Sequence, residues 1–205
     1  MTHIFIEAAK AETVEYVFLN FIILTKLSKS KGSYIIHPVD GWTNLYNATN
    51  INLMNQAMIN KEKVIIVCDA DYSSDQHNHG GFEERKRFIE NQLLANNLLV
   101  PIFLSPNNHD EGDIECLLDQ LTQKEEHRQF FDCYKDFEVC LGDNYEHPNL
   151  KNKLMMYMRG QKLSAKQRKG IGNGDWMFGE NRYWDLSKSE LTPLLSFLDA
   201  HIDNI

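Results

Sequence analysis

The chain has 205 residues, enough for one domain with a full hydrophobic core and a small extension. Its apolar fraction of 42% and net charge of −8 exclude a membrane-embedded or coat-like basic protein. No apolar run reaches the length of a bilayer span, since the longest candidate, Val14 to Leu24, is short and contains Glu15 and Asn20.

His3 to Ile6 is a short apolar run that reads as a first strand. Ala11 to Lys29 follows, with Val14, Val17, Phe18, Phe21, Ile22 and Leu24 at helical spacing. Lys31-Gly32-Ser33 breaks that pattern, and Ser33 to His37 reads as a second strand closed by Pro38. Thr49 to Asn60 is a weaker helix. Val64 to Cys68 is apolar at every residue, as a strand covered on both faces is. Phe82 to Asn97 predicts a third helix and Val100 to Leu104 a fourth strand. Strands alternating with helices of this length predict right-handed crossovers and a mainly parallel sheet.

The second half predicts helices. Ile114 to Gln129 carries Leu117, Leu118 and Leu121, and Phe130 to Leu141 continues it or forms a separate helix. Asn152 to Gln161 is Met-rich, a packed helix face. Gly170-Ile171-Gly172-Asn173-Gly174 lacks a Gly-Lys-Ser ending and a preceding strand, so it reads as a flexible surface loop. Leu191 to Ile202 closes the chain as a helix, with Pro193 in its first turn. Cys68, Cys116, Cys133 and Cys140 form no CxxC pair and read as reduced packing or surface thiols. The N-terminus has no basic segment or cleavage site of a signal peptide, so the expected compartment is the cytoplasm. The one strongly basic stretch runs from Lys151 to Lys169.

Open α/β sheets build their sites at the carboxyl ends of strands. Three such ends carry acids here. Strand one ends at Glu7, strand three at Asp69 and Asp71, and strand four runs into the polar loop Ser105 to Glu115. Hard carboxylate oxygens from several strand ends suit Mg²⁺, which keeps several waters and needs few protein ligands. Any one of these acids alone is also what a turn or a helix N-cap uses. Their order along the chain is the narrower pattern. Tyr72 to Gly81, with His77 and His79, reads as an inserted solvated loop, with a mobile flap or a transition-metal site as the alternatives.

Strand–Glu7–helix followed by strand–Asp69-Ala70-Asp71 resembles the TOPRIM (topoisomerase–primase) domain. Small stand-alone TOPRIM-like proteins and the TOPRIM part of the overcoming-lysogenization-defect nucleases are the nearest in pattern. Phe103-Leu104-Ser105-Pro106-Asn107-Asn108 and Gly112-Asp113-Ile114-Glu115-Cys116-Leu117-Leu118 resemble that family's Pro-Asn-Asn…Gly-x-x-Glu-x-Leu segment, and Lys151 to Tyr157 its Lys-rich helix. Tyr183-Trp184-Asp185 and Leu191 to Leu198 are similar to its closing segment. The resemblance implies a TOPRIM-like Rossmannoid α/β core over 1–122, with about four mainly parallel strands and flanking helices. A mainly helical extension over 123–205 packs on it. It implies an Mg²⁺-dependent (or Mn²⁺-dependent) nuclease-type phosphodiester hydrolase. Asp69, Asp71, Glu7 and Glu115 would hold metal. Glu7 would act on the metal or as general base, and Lys153, or in second place Lys151, would face a phosphate oxygen. Glu12 and Asp113 would stand behind the ligands as outer carboxylates. The chain departs from the family at Ala8, where the pattern has Gly, and at Ala11, where it often has an acid, with Glu12 and Glu15 nearest.

The alternative reading is a non-catalytic TOPRIM-like module that binds nucleotide or nucleic acid, or a partner subunit of an ATPase. A receiver-like or phosphatase-like domain also gathers acids at strand ends, but it needs a nucleophilic Asp where this chain has Glu7. No membrane partner is expected, and the oligomeric state is open.

Overall fold

The computed structural model describes residues 1–74 and 79–203. Among these, four strands and eight α-helices follow one another as β1 (Thr2–Ile6), α1 (Val14–Thr25), β2 (Tyr34–Pro38), α2 (Ala48–Ile59), β3 (Lys63–Asp69), α3 (Phe82–Ala95), β4 (Ile102–Ser105), α4 (Ile114–Leu121), α5 (Arg128–Leu141), α6 (Leu150–Arg159), α7 (Ala165–Gly172) and α8 (Thr192–His201). All strand pairs are parallel and the sheet order is β2-β1-β3-β4. The architecture is α/β with a Rossmann-like core.

Strand periodicity divides the core in two. Ile4, Ile6, Ile65, Val67 and Phe103 face one side, where α1, α4, α6 and α8 cover them. Phe5, Val64, Ile66, Cys68 and Leu104 face the other side, against α2 and α3. The chain leaves β1 through α1 on the first face to reach the edge strand β2. It then returns through α2 on the second face to β3, on the far side of β1. The order therefore reverses between β1 and β3, and that point opens a crevice at the carboxyl ends of both strands.

Several boundaries differ from expectation. Helix α1 starts at Val14 rather than Ala11, because the Thr13 hydroxyl caps it by accepting the Tyr16 N–H. It ends at Thr25 because Lys26 and Leu27 both donate their N–H to the Ile22 carbonyl and Ser28 turns left-handed (φ 54°). Helix α4 ends at Leu121 rather than continuing to Gln129. Thr122 is extended and bridges Trp184, with Gln123 N–H bound to the Tyr183 carbonyl and Asp185 N–H to that of Leu121. A pairing with a distant segment thus outcompetes the local periodicity.

The glycine-dense stretch is not a flexible surface loop. Gly170 and Gly172 belong to α7, which opens with a capping box between Ser164 and Gln167. Gly174 (φ +76°) lies so close to α1 that a Cβ there would meet the Thr13 carbonyl carbon at 2.4 Å. Ile171 and Trp176, on either side, are buried. No helix among the described residues is long and apolar enough to cross a membrane.

Candidate metal centre at the sheet switch point

Glu7 follows β1 directly. Its carboxylate accepts the Asp69 N–H at 3.4 Å and the Trp42 N–H. Burial, then the charge of Asp71, pushes its carboxyl above the usual carboxylate range, with Arg85 opposing. Asp69 is the last residue of β3 and accepts the Ile114 N–H, at the start of α4, at 2.9 Å. Burial pushes Asp69 well up, and Glu7, Glu115, Asp113 and Asp71 add to it in that order. The acids of β1, β3 and α4 thus stand around one crevice.

Asp71 adopts a left-handed backbone (φ 54°), which Asp tolerates better than most residues. It is pinned there by a two-way backbone bridge with Gly112, both N–H···O distances being 2.8 Å. Its side chain pairs with the Arg85 guanidinium, which is wholly buried and lies 4.1 Å above the Trp42 ring. Asp113 is the N-cap of α4 and accepts the Cys116 N–H at 2.9 Å. Glu115 is buried in the first turn of α4 and meets Lys151 Nζ at 2.8 Å. The same ammonium reaches Glu15 at 2.9 Å. Burial pushes Glu115 up more than Lys151 pulls it down, whereas at Glu15 burial loses to the Lys151 pair and the carboxyl lies low.

A cavity of about 500 Å³ joins these groups. Glu7, Asp69, Asp71, Asp113 and Glu115 form its acidic floor, with Glu12, Thr13 and Glu15 at the α1 side. Lys151, Met155, Ile171 and Trp176 come over it from the helical half. Glu12 is exposed at the rim and pairs with Lys10 at 3.3 Å.

Six of the expected residues, Glu7, Glu12, Asp69, Asp71, Asp113 and Glu115, therefore line one cavity. Lys153 does not. It points the other way, pairing with Asp119 at 3.3 Å and lying over the Phe131 and Tyr134 rings. Lys151 holds the place facing the acids, with its ammonium on Glu115 and Glu15 at the cavity edge. Arg85 escaped the sequence reading, though its signal was present. It lies on the inward stripe of α3 with Ile89 and Leu93, where a buried cation needs a partner. His79 pairs with Glu84 at 3.1 Å and stacks on Phe88. His77 lies outside the described residues.

The partners sort the acids. Asp71 has Arg85, Glu115 has Lys151, and Asp113 caps a helix. Glu7 and Asp69 are held by backbone N–H groups. Among the described residues no three His, Cys, Asp or Glu side chains already converge as a metal-holding group. The central feature is thus a carboxylate pair, Glu7 with Asp69, flanked by Asp71 and Glu115, which already have cations, and by Asp113, which caps α4. No model of a protein family, no curated protein and no solved structure matches the chain.

Proposed function

We propose that this chain is a TOPRIM-like, Mg²⁺-dependent (or Mn²⁺-dependent) enzyme that hydrolyses phosphodiester bonds. The observation that carries the reading is the half-buried pair Glu7 and Asp69, at the carboxyl ends of β1 and β3 on the floor of the acidic cavity, each carboxyl raised by burial and by neighbouring acids. Carboxylates crowded in this way favour a cation, and one or two carboxylates plus waters satisfy Mg²⁺. The donor set fits, being oxygen throughout. A divalent ion held there would polarise a phosphate oxygen and acidify a bound water.

The chain's own groups have separate tasks. The Asp69 N–H and Trp42 N–H fix the Glu7 carboxylate, and the Ile114 N–H fixes Asp69. Lys151, the cation facing the cavity from α6, takes the phosphate-facing role that the resemblance gave first to Lys153. The test is titration of the metal-free protein with Mg²⁺ and Mn²⁺, read by calorimetry, and then incubation with a labelled oligonucleotide. Ion binding and cleavage that are both lost in Asp69→Asn support the reading. A clean preparation that neither binds an ion nor cleaves overturns it.

A second reading has its own support. Arg85 already neutralises Asp71, and Ala8 replaces the family's Gly, as in a module that binds nucleotide or nucleic acid without cutting it or serves as an ATPase's partner subunit. Full biological function of an Asp69→Asn, Asp71→Asn double variant, or stable co-purification with an ATPase, selects that reading.

A further inference from the structure

A groove of about 660 Å³ runs along the solvent side of α6. Phe130, Pro148, Asn152, Met155, Met156 and Arg159 form its walls. Asn152, Met156 and Arg159 stand at i, i+4 and i+7 on one face, away from the buried Leu154, Tyr157 and Met158. Met155 lines both this groove and the acidic cavity. From Lys151 to Arg159 the helix rises about 12 Å, the length of three or four stacked bases at about 3.4 Å each.

The segment that supplies most of this face is opposite in charge to the chain as a whole. No Asp or Glu occurs between Glu146 and Asp175, although the chain carries −8 overall. Arg168 of α7 donates to the carbonyls of Arg159 and Leu163, both at 3.3 Å, which sets its guanidinium beside the end of the groove. Arg159, Lys162, Lys166, Arg168 and Lys169 are all exposed. Beside these cations the groove wall is mostly apolar, with Met156 45% exposed and Phe130 half-buried against the rings of Phe131, Tyr134 and Tyr157. Cations for a phosphate backbone beside an aromatic and a thioether surface for base faces are the requirements of single-strand binding. A duplex hides its base faces and would use only the cations.

We propose that this groove binds single-stranded nucleic acid, with bases on Phe130 and Met156 and phosphates on Arg159 and Arg168, and leads the strand past Met155 to Lys151. The fate of the strand in the cavity rests on the phosphodiester reading above, while the binding itself does not.

The experiment is fluorescence anisotropy of a labelled oligothymidylate of about 12 nucleotides, and of a duplex of equal length, in EDTA over about 50–200 mM salt. The full chain is compared with Arg159→Glu/Arg168→Glu, with Met156→Asp, and with Lys31→Glu/Lys61→Glu. The last variant reverses two exposed cations before the amino ends of β2 and β3 and matches the first in net charge. The expected result is preference for the single strand and at least tenfold weaker binding in both groove variants. The salt slope falls by about 1.4 when two phosphate contacts are lost. The matched-charge variant stays near wild type. Equal losses in the groove and matched-charge variants overturn the groove, and so does no strand binding by the wild-type chain. A groove variant that alters the oligomeric state but not strand affinity overturns it in favour of self-association. Strand binding that needs the groove, in a protein that takes up no Mg²⁺ or Mn²⁺, supports the groove while overturning the metal reading. Cleavage that persists unchanged in the groove variants does the reverse.

Discussion

Gly174→Ala tests whether the glycine-dense stretch is a packed part of the cavity wall. Gly174 has φ +76°, where an L-residue costs about 1–2 kcal/mol. A Cβ there would lie 2.4 Å from the Thr13 carbonyl carbon, 2.6 Å from its oxygen and 2.7 Å from the Val14 nitrogen. Ordinary contacts between carbon atoms begin near about 3.5 Å, so the backbone at the start of α1 must move, at a further cost of about 1–3 kcal/mol. A loss of about 3 kcal/mol would lower the melting temperature by about 6–12 °C in a chain of this size. Gly172→Ala makes the internal comparison. It meets no atom within 4 Å and lies in α7, where Ala gains up to about 1 kcal/mol over Gly. Opposite signs two residues apart, measured by urea and thermal unfolding followed by circular dichroism, are the expected outcome. Similar stability of the two variants would refute the packed wall and restore a solvated loop. Because Thr13 lines the cavity, Gly174→Ala should also weaken Mg²⁺ uptake, which calorimetry reads separately.

Asp69→Asn keeps an acceptor for the Ile114 N–H and removes a charge that burial disfavours, so the metal-free variant should be at least as stable as wild type. Mg²⁺ at about 100 times its Kd should stabilise wild type by about 2.7 kcal/mol, a shift of roughly 5–10 °C in thermal unfolding, and leave the variant unmoved. Arg85→Met should cost about 3 kcal/mol, the low end for breaking a buried ion pair, because Asp71 is 34% exposed. A double-mutant cycle with Asp71→Asn should give a coupling well above the about 0–1 kcal/mol of a surface pair, and a coupling in that lower range would contradict the buried geometry. His37 stacks on His3 and Phe5, and burial, then the charge of His3, holds its imidazole below the usual value. The folded state therefore binds a proton less readily than the unfolded chain. Stability is full above about pH 6.5 and falls as pH drops below it, and chemical unfolding of His37→Phe across this window should lack that part of the slope.

The parallel sheet was legible because its signals are local. The all-apolar run Val64 to Cys68 and the helical spacings of Val14 to Leu24 and Phe82 to Leu94 are short-range patterns that the crossover geometry then constrains. The acids at Glu7, Asp69, Asp71 and Glu115 were legible for the same reason, as residues fixed to strand ends and a helix start. What escaped depends on pairings between distant segments. The stop at Leu121 requires Tyr183 to Asp185, and the packing of Gly174 requires the Thr13 carbonyl. Helix α7 had a local signal, Ser164-x-x-Gln167, which the reading of the glycines as a loop left unused. The choice between Lys151 and Lys153 turned on helical phase. Two residues along α6 rotate a side chain by about 200°, which sends one ammonium to Glu115 and the other to Asp119.

That phase also decides how the acidic cavity is held together. Arg85 reaches Asp71 from α3, on one face of the sheet, and Lys151 reaches Glu115 and Glu15 from α6, on the other. Each layer thus contributes one cation to the outer acids, and Glu7 and Asp69 remain between them with backbone donors only. If all five floor acids were equivalent, removing either cation would raise ion affinity equally. In the arrangement found, Lys151→Met leaves Glu115 and Glu15 without their cation beside Asp69, whose carboxyl Glu115 already pushes up. Arg85→Met leaves Asp71 beside Glu7, for which Arg85 is the opposing charge. Both variants should therefore bind Mg²⁺ more tightly than wild type while being less stable without it. Asp69→Asn placed in either background should abolish the gain. Persistence of tight binding in Arg85→Met/Asp69→Asn would move the centre from the Glu7–Asp69 pair to Asp71.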